Sequence, residues 1–256
     1  NFVTGIADAM MDSTPVVCIT AQVNADKLGT NFFQEADMIS ITLPITKWSY
    51  QVTKASEIPE TIAKAFYIAK SGKPGPVVIS LTKNAQVEMT EFNYNKEELI
   101  KEIKINESDV KCEDLDAAAE LLNNAKNPLI IAGHGVAIAD ADETLRELCE
   151  KGNIPVAATL MGVSVMNSYH PNYIGAVGNI APNRMTQEAD VIMAVGMRFS
   201  DRVTGEIKGY APKAKIIHVE IDRSEINKNV KAHLPLRGDA GKILEELNKR
   251  IKFVER

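Results

Sequence analysis

The runs Leu129-Ile130-Ile131-Ala132-Gly133-His134-Gly135 and Val191-Ile192-Met193-Ala194-Val195-Gly196-Met197-Arg198 decide the reading of the fold. Each is a short, uninterrupted apolar stretch that stops at glycine and then meets a polar or basic residue. A strand with one wetted face alternates apolar and polar residues, whereas a strand covered on both faces reads as a continuous apolar run. The two runs therefore predict parallel strands at 128–132 and 190–195, sandwiched between helical layers.

The pattern extends in both directions. Downstream of 113 we expect helix 115–125, strand 128–132, helix 142–151, strand 154–158, a helix around 182–188, strands 190–195 and 215–221, and helix 240–251. Upstream we expect helix 2–11, strand 15–20, a short helix around 32–38, strand 48–53, helix 57–70 and strand 76–81. Within 57–70, Ile58, Ile62, Ala65, Phe66 and Ala69 recur at helical spacing, and Ser71-Gly72-Lys73-Pro74-Gly75-Pro76 halts the helix. Between the two alternations, Glu88, Glu91, Lys96, Glu97, Glu98, Lys101, Glu102 and Lys104 crowd a segment without sustained apolar periodicity, which reads as a linker. The expected fold class is α/β: two doubly wound parallel-sheet domains, the first incomplete and the second Rossmann-like. The expected boundaries are 1–84, a linker at 85–112, and 113–256. The chain opens on Asn1 in a helix already under way, so a truncated start is expected.

Composition narrows the function. At 256 residues the chain exceeds a typical domain of roughly 100 to 150, which favours two. With 45% hydrophobic residues each can bury a core, so a disordered chain is excluded. A net charge of −5 without a Lys/Arg cluster argues against nucleic acid, whose binders present a basic face. No apolar run reaches the ~18 to 20 residues of a membrane span, and no basic-then-apolar leader is present, so a cytoplasmic protein away from membranes is expected. Cys18, Cys112 and Cys149 are odd in number and far apart, which points to neither a disulfide framework nor zinc. Cys18, inside Val16-Val17-Cys18-Ile19, reads as a buried inert thiol. His134, His170, His218 and His233 lack metal-ligand spacing, and no metal ligand is assigned.

Open parallel sheets bind ligands beyond the carboxyl ends of their strands. The second domain places Gly133-His134-Gly135, Thr159-Leu160-Met161-Gly162, Gly196-Met197-Arg198 and Glu220-Ile221-Asp222 at four such ends. Glycine lets a backbone approach a phosphate, arginine neutralises a pyrophosphate, and an acid at a strand end accepts from a ribose. Singly each feature is weak, since Gly133-His134-Gly135 also suits a plain tight turn. Together they indicate a dinucleotide. In the first domain, Thr30 or Asn31 can cap the helix expected near 32–38, with Glu35 in its positive first turn. Lys83, just past a strand, is either a surface lysine or a charge aimed into a cleft, and Trp48 reads as core.

In chain order, Asn1-Phe2-Val3-Thr4-Gly5-Ile6-Ala7-Asp8-Ala9, Phe33-Gln34-Glu35-Ala36-Asp37, Gly72-Lys73-Pro74-Gly75-Pro76-Val77 and Gly196-Met197-Arg198-Phe199-Ser200-Asp201-Arg202-Val203-Thr204-Gly205 resemble the large catalytic subunits of the acetolactate synthases, which are thiamine-diphosphate enzymes. The resemblance spans nearly the whole chain, and its last motif is the most specific. It implies that 1–84 is the latter part of a domain contacting the thiamine pyrimidine and that 113–256 is a central FAD-binding domain. The activating glutamate would then lie upstream, the motif holding diphosphate and magnesium downstream, and this piece alone would be inactive. Phe33 and Gln34 match positions lining the reaction site, Lys83 a lysine near its entrance, and Arg202 an arginine that holds the second ketoacid. Gly133, Gly135, Thr159, Leu160, Gly175, Gly196, Arg198, Glu220, Ile221 and Asp239 match or neighbour FAD-contacting positions, the flavin serving mainly as a structural element.

The implied reaction is a decarboxylative condensation of pyruvate with a second 2-ketoacid, in branched-chain amino-acid biosynthesis. A homodimer or higher homo-oligomer and a small regulatory subunit are implied in the same way. The chain departs from the family pattern at His134, where a glycine is common, and at Ala176-Val177, where Met-His is frequent. Two alternatives accompany this reading. One is another thiamine-diphosphate enzyme, such as sulfoacetaldehyde acetyltransferase or glyoxylate carboligase. The other is a nucleotide-binding module without catalysis.

Overall fold

The computed structural model describes residues 1–92, 94, 95, 100 and 108–255. Contacts divide the chain into two units, Asn1–Asn106 and Glu107–Arg256.

The first unit runs α1 (Val3–Met11), β1 (Val17–Gln22), α2 (Met38–Thr42), β2 (Trp48–Val52), α3 (Ile58–Lys70), β3 (Val77–Thr82) and α4 (Lys83–Val87). Its three strands are parallel in the order β1-β3-β2, with Val77 paired to Val17 on one side and to Trp48 on the other. β3 is central and almost wholly buried, as its unbroken apolar run requires. Helix α3 covers the sheet: Pro59 sits in its first turn, where the missing N–H costs nothing, and Ala65 and Ala69 pack on Val52, Val77 and Ile79. Phe66, expected in that stripe, is instead 53% exposed. Lys47 donates its ammonium to the carbonyls of Ile68 and Ser71, satisfying acceptors at the end of α3.

The second unit runs α5 (Cys112–Asn124), β4 (Pro128–Ala132), α6 (His134–Ile138), α7 (Asp142–Gly152), β5 (Val156–Ala158), β6 (Tyr173–Ala176), α8 (Ile180–Glu188), β7 (Val191–Val195), α9 (Asp201–Thr204), β8 (Lys215–Glu220), β9 (Leu234–Arg237) and α10 (Ala240–Asn248). All six strands are parallel, in the order β6-β5-β4-β7-β8-β9. The chain winds outward from β4 to β6, then returns to the other side of β4 and winds outward again to β9, which is the doubly wound arrangement. Both faces are covered. Ile130, Ala132, Met193, Val195, Ile217 and Val219 enter one cluster with residues of α5, α7 and α10, while Leu129, Ile131, Ile192, Ala194 and Ile216 enter the other. β4 and β7 thus alternate between two dry faces along their whole length, and none of their residues needs to be polar.

Several expectations are corrected. No helix spans 32–38: the chain forms a closed loop there, and the helix begins only at Met38, capped by the Asp37 carboxylate accepting from Ser40 N–H at 3.0 Å. Asn31 and Gln34 have φ of +57° and +66°, outside the helical region, so neither Thr30 nor Asn31 caps a helix. Strands β6 and β9 and helices α4, α6 and α9 are additional elements. The segment 85–112 begins inside α4 and ends on the first residue of α5, and its residues 93, 96–99 and 101–107 lie outside the described ones.

Candidate functional site

In a doubly wound sheet the crevice lies where the winding reverses, here between the carboxyl ends of β4 and β7. These two ends carry Gly133-His134-Gly135 and Gly196-Met197-Arg198. Gly196 adopts φ +58°, which glycine tolerates without strain. The two turns are packed backbone against backbone: a Cβ on Gly135 would lie 2.6 Å from Gly196 Cα, and one on Gly133 would lie 2.4 Å from Gly196 O. Gly133 N–H donates to Val195 O at 2.9 Å, Gly135 N–H to Gly196 O at 2.8 Å, and Gly196 N–H to Val219 O at 2.9 Å.

This refines the role expected of the glycines. Their missing side chains let two loops meet, and their N–H groups are used between strands, so they build the crevice floor. The strand ends around that floor supply other groups. Thr159 and the 81% exposed Leu160 follow β5, with Thr159 N–H donating to Ala132 O at 2.9 Å. Gly175 lies in edge strand β6 with φ +102°. The half-buried Arg198 follows β7, Glu220 ends β8 and Ile221 follows it. The Glu220 carboxylate is buried and accepts from Asp222 N–H at 3.0 Å, closing the turn after β8. Asp239 caps α10 by accepting from Lys242 N–H at 3.0 Å, a sufficient structural reason for an acid there. His134 opens α6 and Ala176-Val177 closes β6, so both departures from the family pattern lie at carboxyl ends of strands.

The Arg198–Arg202 segment is held from below by groups that composition and spacing did not single out. His218, fully buried in β8, lies 2.9 Å from Met197 O through Nε2, so Nε2 carries the proton. Asn229 Nδ2 donates to Phe199 O at 2.7 Å. Phe199 meets His218 and Tyr210 edge-on, at centroid separations of 4.9 and 5.8 Å. Burial pushes the His218 imidazolium down, while the Met197 carbonyl and the Glu225 charge work weakly against that, so the ring is kept neutral. A histidine amid Ile216, Ile217 and Val219 was the available signal. Beyond this anchor, Arg202 points outward from α9 with a side chain 92% exposed, its Nε 3.8 Å from Asp201 Oδ2.

In the first unit, Phe33 and Gln34 stand on the closed loop after β1, with Phe33 82% exposed. The loop is tied to its strand by Gln22 Nε2 donating to Ala36 O at 2.6 Å. Lys83 is the exposed first residue of α4, directly after β3. Because β1 and β3 pair up to Gln22 and Thr82, Lys83 and the strand that leads into the Phe33 loop share one carboxyl edge of that sheet.

Burial pushes Cys149 up to about 12, far from a reactive thiolate, and raises the partly buried Cys18 as well. Among the described residues no group of three His, Cys, Asp or Glu could hold a metal ion. No helix among them is long and apolar enough to cross a membrane. A groove of about 590 Å³ lined by Glu120, Leu121, Asp190, Lys215 and His233 opens at the amino ends of β7 and β8, the wrong end of a parallel sheet for its chemistry.

Comparison with known proteins agrees with this geometry. The thiamine pyrophosphate enzyme central domain matches residues 115–247. The probable acetolactate synthase large subunit of Methanocaldococcus jannaschii is 43% identical over 254 residues, covering 96% of this chain and 43% of the relative. That of Methanococcus aeolicus is 41% identical over 261 residues, covering 99% and 43%. The acetolactate synthase isozyme 2 large subunit of Escherichia coli is 38% identical over 250 residues, covering 96% and 45%. The chain spans less than half the length of these relatives.

Proposed function

Because the chain belongs to the thiamine pyrophosphate enzymes, carrying their central domain over 115–247, we propose that it serves as part of an acetolactate synthase catalytic subunit. The proposed reaction joins pyruvate, with loss of carbon dioxide, to a second 2-ketoacid. The observation that carries this reading is the similarity of about 40% to three acetolactate synthase large subunits across nearly the whole chain. The carboxyl edges of both sheets offer the residue types such a reaction needs.

Thiamine diphosphate, when bound, supplies the electron sink for decarboxylation and carbon–carbon bond formation. The protein's residues orient and shield the substrates. The exposed Arg202 guanidinium suits a ketoacid carboxylate, which its planar fork can bind through two parallel hydrogen bonds. Phe33, Gln34 and Lys83, at one carboxyl edge, provide an apolar wall, an amide and a cation for a small anionic substrate. FAD is proposed for the β4–β7 crevice. The donor set fits it: Arg198 for the pyrophosphate, Thr159 and Glu220 for hydroxyls, and Leu160 and Ile221 for an apolar ring system. Gly133, Gly135 and Gly196 shape the floor and Gly175 the edge, while Asp239 stands at the start of α10. Magnesium enters the proposal only as the companion of the diphosphate.

The relatives are called large subunits, which supports a smaller partner subunit; that this partner is regulatory, that the catalytic subunit is homo-oligomeric and that it works in the cytoplasm are proposed from the family resemblance alone. His134 and Ala176-Val177 favour, as a second reading, a related carboligase or acyltransferase with a different acceptor. The test is substrate competition on the product of the complete coding region, supplied with thiamine diphosphate, magnesium and FAD. Acetolactate formed from pyruvate alone supports the first reading. Turnover confined to glyoxylate or sulfoacetaldehyde supports the second, and no turnover with binding of FAD leaves a nucleotide-binding module.

A further inference from the structure

The loop between β1 and α2 is closed on itself by one side chain. Glu35 turns back so that Oε1 accepts from Gly29 N–H and Oε2 accepts from Phe32 N–H at 3.1 Å. Between those two, Thr30 N–H donates to Lys27 O at 3.3 Å. Two backbone donors three residues apart, those of Gly29 and Phe32, therefore share one carboxylate, an arrangement that fixes a turn as a cap fixes a helix end. The ring is tightened by Glu35 N–H donating to Phe32 O at 2.8 Å and by Thr30 Oγ1 donating to Lys27 O at 2.7 Å.

The backbone inside this ring is strained at two non-glycine positions, Asn31 at φ +57° and Gln34 at φ +66°. Gln34 immediately precedes the clamp, and Phe33, beside it, is 82% exposed. An exposed phenylalanine on a strained turn gains nothing from burial, so its placement has to come from the hydrogen bonds behind it. The Gly29 N–H foremost, then that of Phe32, holds the Glu35 carboxyl below the usual carboxylate range, so the clamp stays ionised at neutral pH.

We propose that Glu35 is a positioning residue: its carboxylate clamps the 29–32 backbone and thereby presents Phe33 and Gln34 in a fixed orientation to the substrate. Glu35 itself does not touch the reacting atoms. That Phe33 and Gln34 face substrate rests on the functional reading above; the clamp itself does not.

Two readouts on the product of the complete coding region separate these levels. Backbone hydrogen exchange is compared in the wild-type protein, Glu35→Gln and Glu35→Ala, alongside the KM and kcat for pyruvate. The expected result is exchange at least tenfold faster at 29–32 with unchanged protection across β1 and β3. It is accompanied by a KM raised at least tenfold in both variants, less in Glu35→Gln, which keeps one acceptor oxygen. Unchanged exchange at 29–32 overturns the clamp. Faster exchange with unaltered KM and kcat overturns the presenting role. Loss of protection throughout β1 and β3 in both variants shows a merely structural residue and also overturns the proposal. If the wild-type protein makes no acetolactate, that failure belongs to the functional reading. KM and kcat are then taken with the substrate that is turned over. If there is none, the exchange result decides the clamp, and the presenting role falls with the catalysis it requires.

Discussion

His218 Nε2 donates to the carbonyl of Met197 across 2.9 Å, so a neutral imidazole buried in β8 fixes the first turn of the loop that carries Arg198 and Arg202. The other ring nitrogen, Nδ1, has no partner among the described residues. Protonation would place a cation with an unsatisfied donor in a dry layer between Phe199 and the sheet.

The first prediction is a pH dependence with a definite sign. Burial puts the folded-state pKa of His218 below the unfolded value near 6.5. The unfolded chain therefore takes up a proton that the folded chain refuses, so the contribution is complete above about pH 6.5 and is lost as pH falls toward the folded value. Urea unfolding followed from pH 7.5 to pH 5 should show the midpoint dropping below about 6.5. His218→Phe should flatten that drop while costing ~1 to 3 kcal/mol at pH 7, because the Met197 carbonyl loses its donor. Equal slopes in both proteins would assign the acid sensitivity elsewhere.

The second prediction concerns the crevice floor. A methyl group at Gly135 would meet Gly196 backbone at 2.6 Å, and backbone cannot rotate aside. Gly135→Ala should therefore cost ~1 to 3 kcal/mol by forcing the β4 and β7 turns apart. Gly5→Ala, inside α1 with nothing within 4 Å of the added atom, should instead stabilise by ~0.5 to 1 kcal/mol. Thermal unfolding of the two variants checks the contrast, and a neutral Gly135→Ala would mean that the turns do not touch as described.

The fold was legible where its physics is local. β4 and β7 were readable because strands dry on both faces need no polar residue, and α7 because Leu145, Leu148 and Cys149 recur at helical spacing. β6 and β9 were not, since four-residue edge strands containing Gly175 and Pro235 carry little apolar signal. The helix expected at 32–38 failed for a comparable reason. Glu35 looks like a first-turn acid, but its carboxylate reaches the N–H groups before it in the chain. Among the candidate site residues, the gathering of glycines at strand ends was foreseeable. That Gly133, Gly135 and Gly196 spend their N–H groups on neighbouring strands depends on distant partners, which spacing does not reveal.

The third prediction tests an anchor of the first unit. The Lys47 ammonium donates to the Ile68 and Ser71 carbonyls at the end of α3, and burial pulls it down to about 8. Lys47→Met keeps the aliphatic stem packed and removes both bonds. A loss of ~1 to 2 kcal/mol is expected, with hydrogen exchange accelerating first in the last turn of α3. Uniform acceleration along α3 would show that Lys47 supports the whole helix instead of its end.

The β4–β7 crevice is tested most directly by flavin titration of the product of the complete coding region, following flavin fluorescence, in the wild-type protein and in Arg198→Ala. Saturable FAD binding is expected, weakened by ~1.5 to 3 kcal/mol in the variant through loss of a charged hydrogen bond to the pyrophosphate. Absence of binding at tens of micromolar, or equal affinity in both proteins, would contradict the assignment of the β4–β7 crevice as a dinucleotide site held by Arg198.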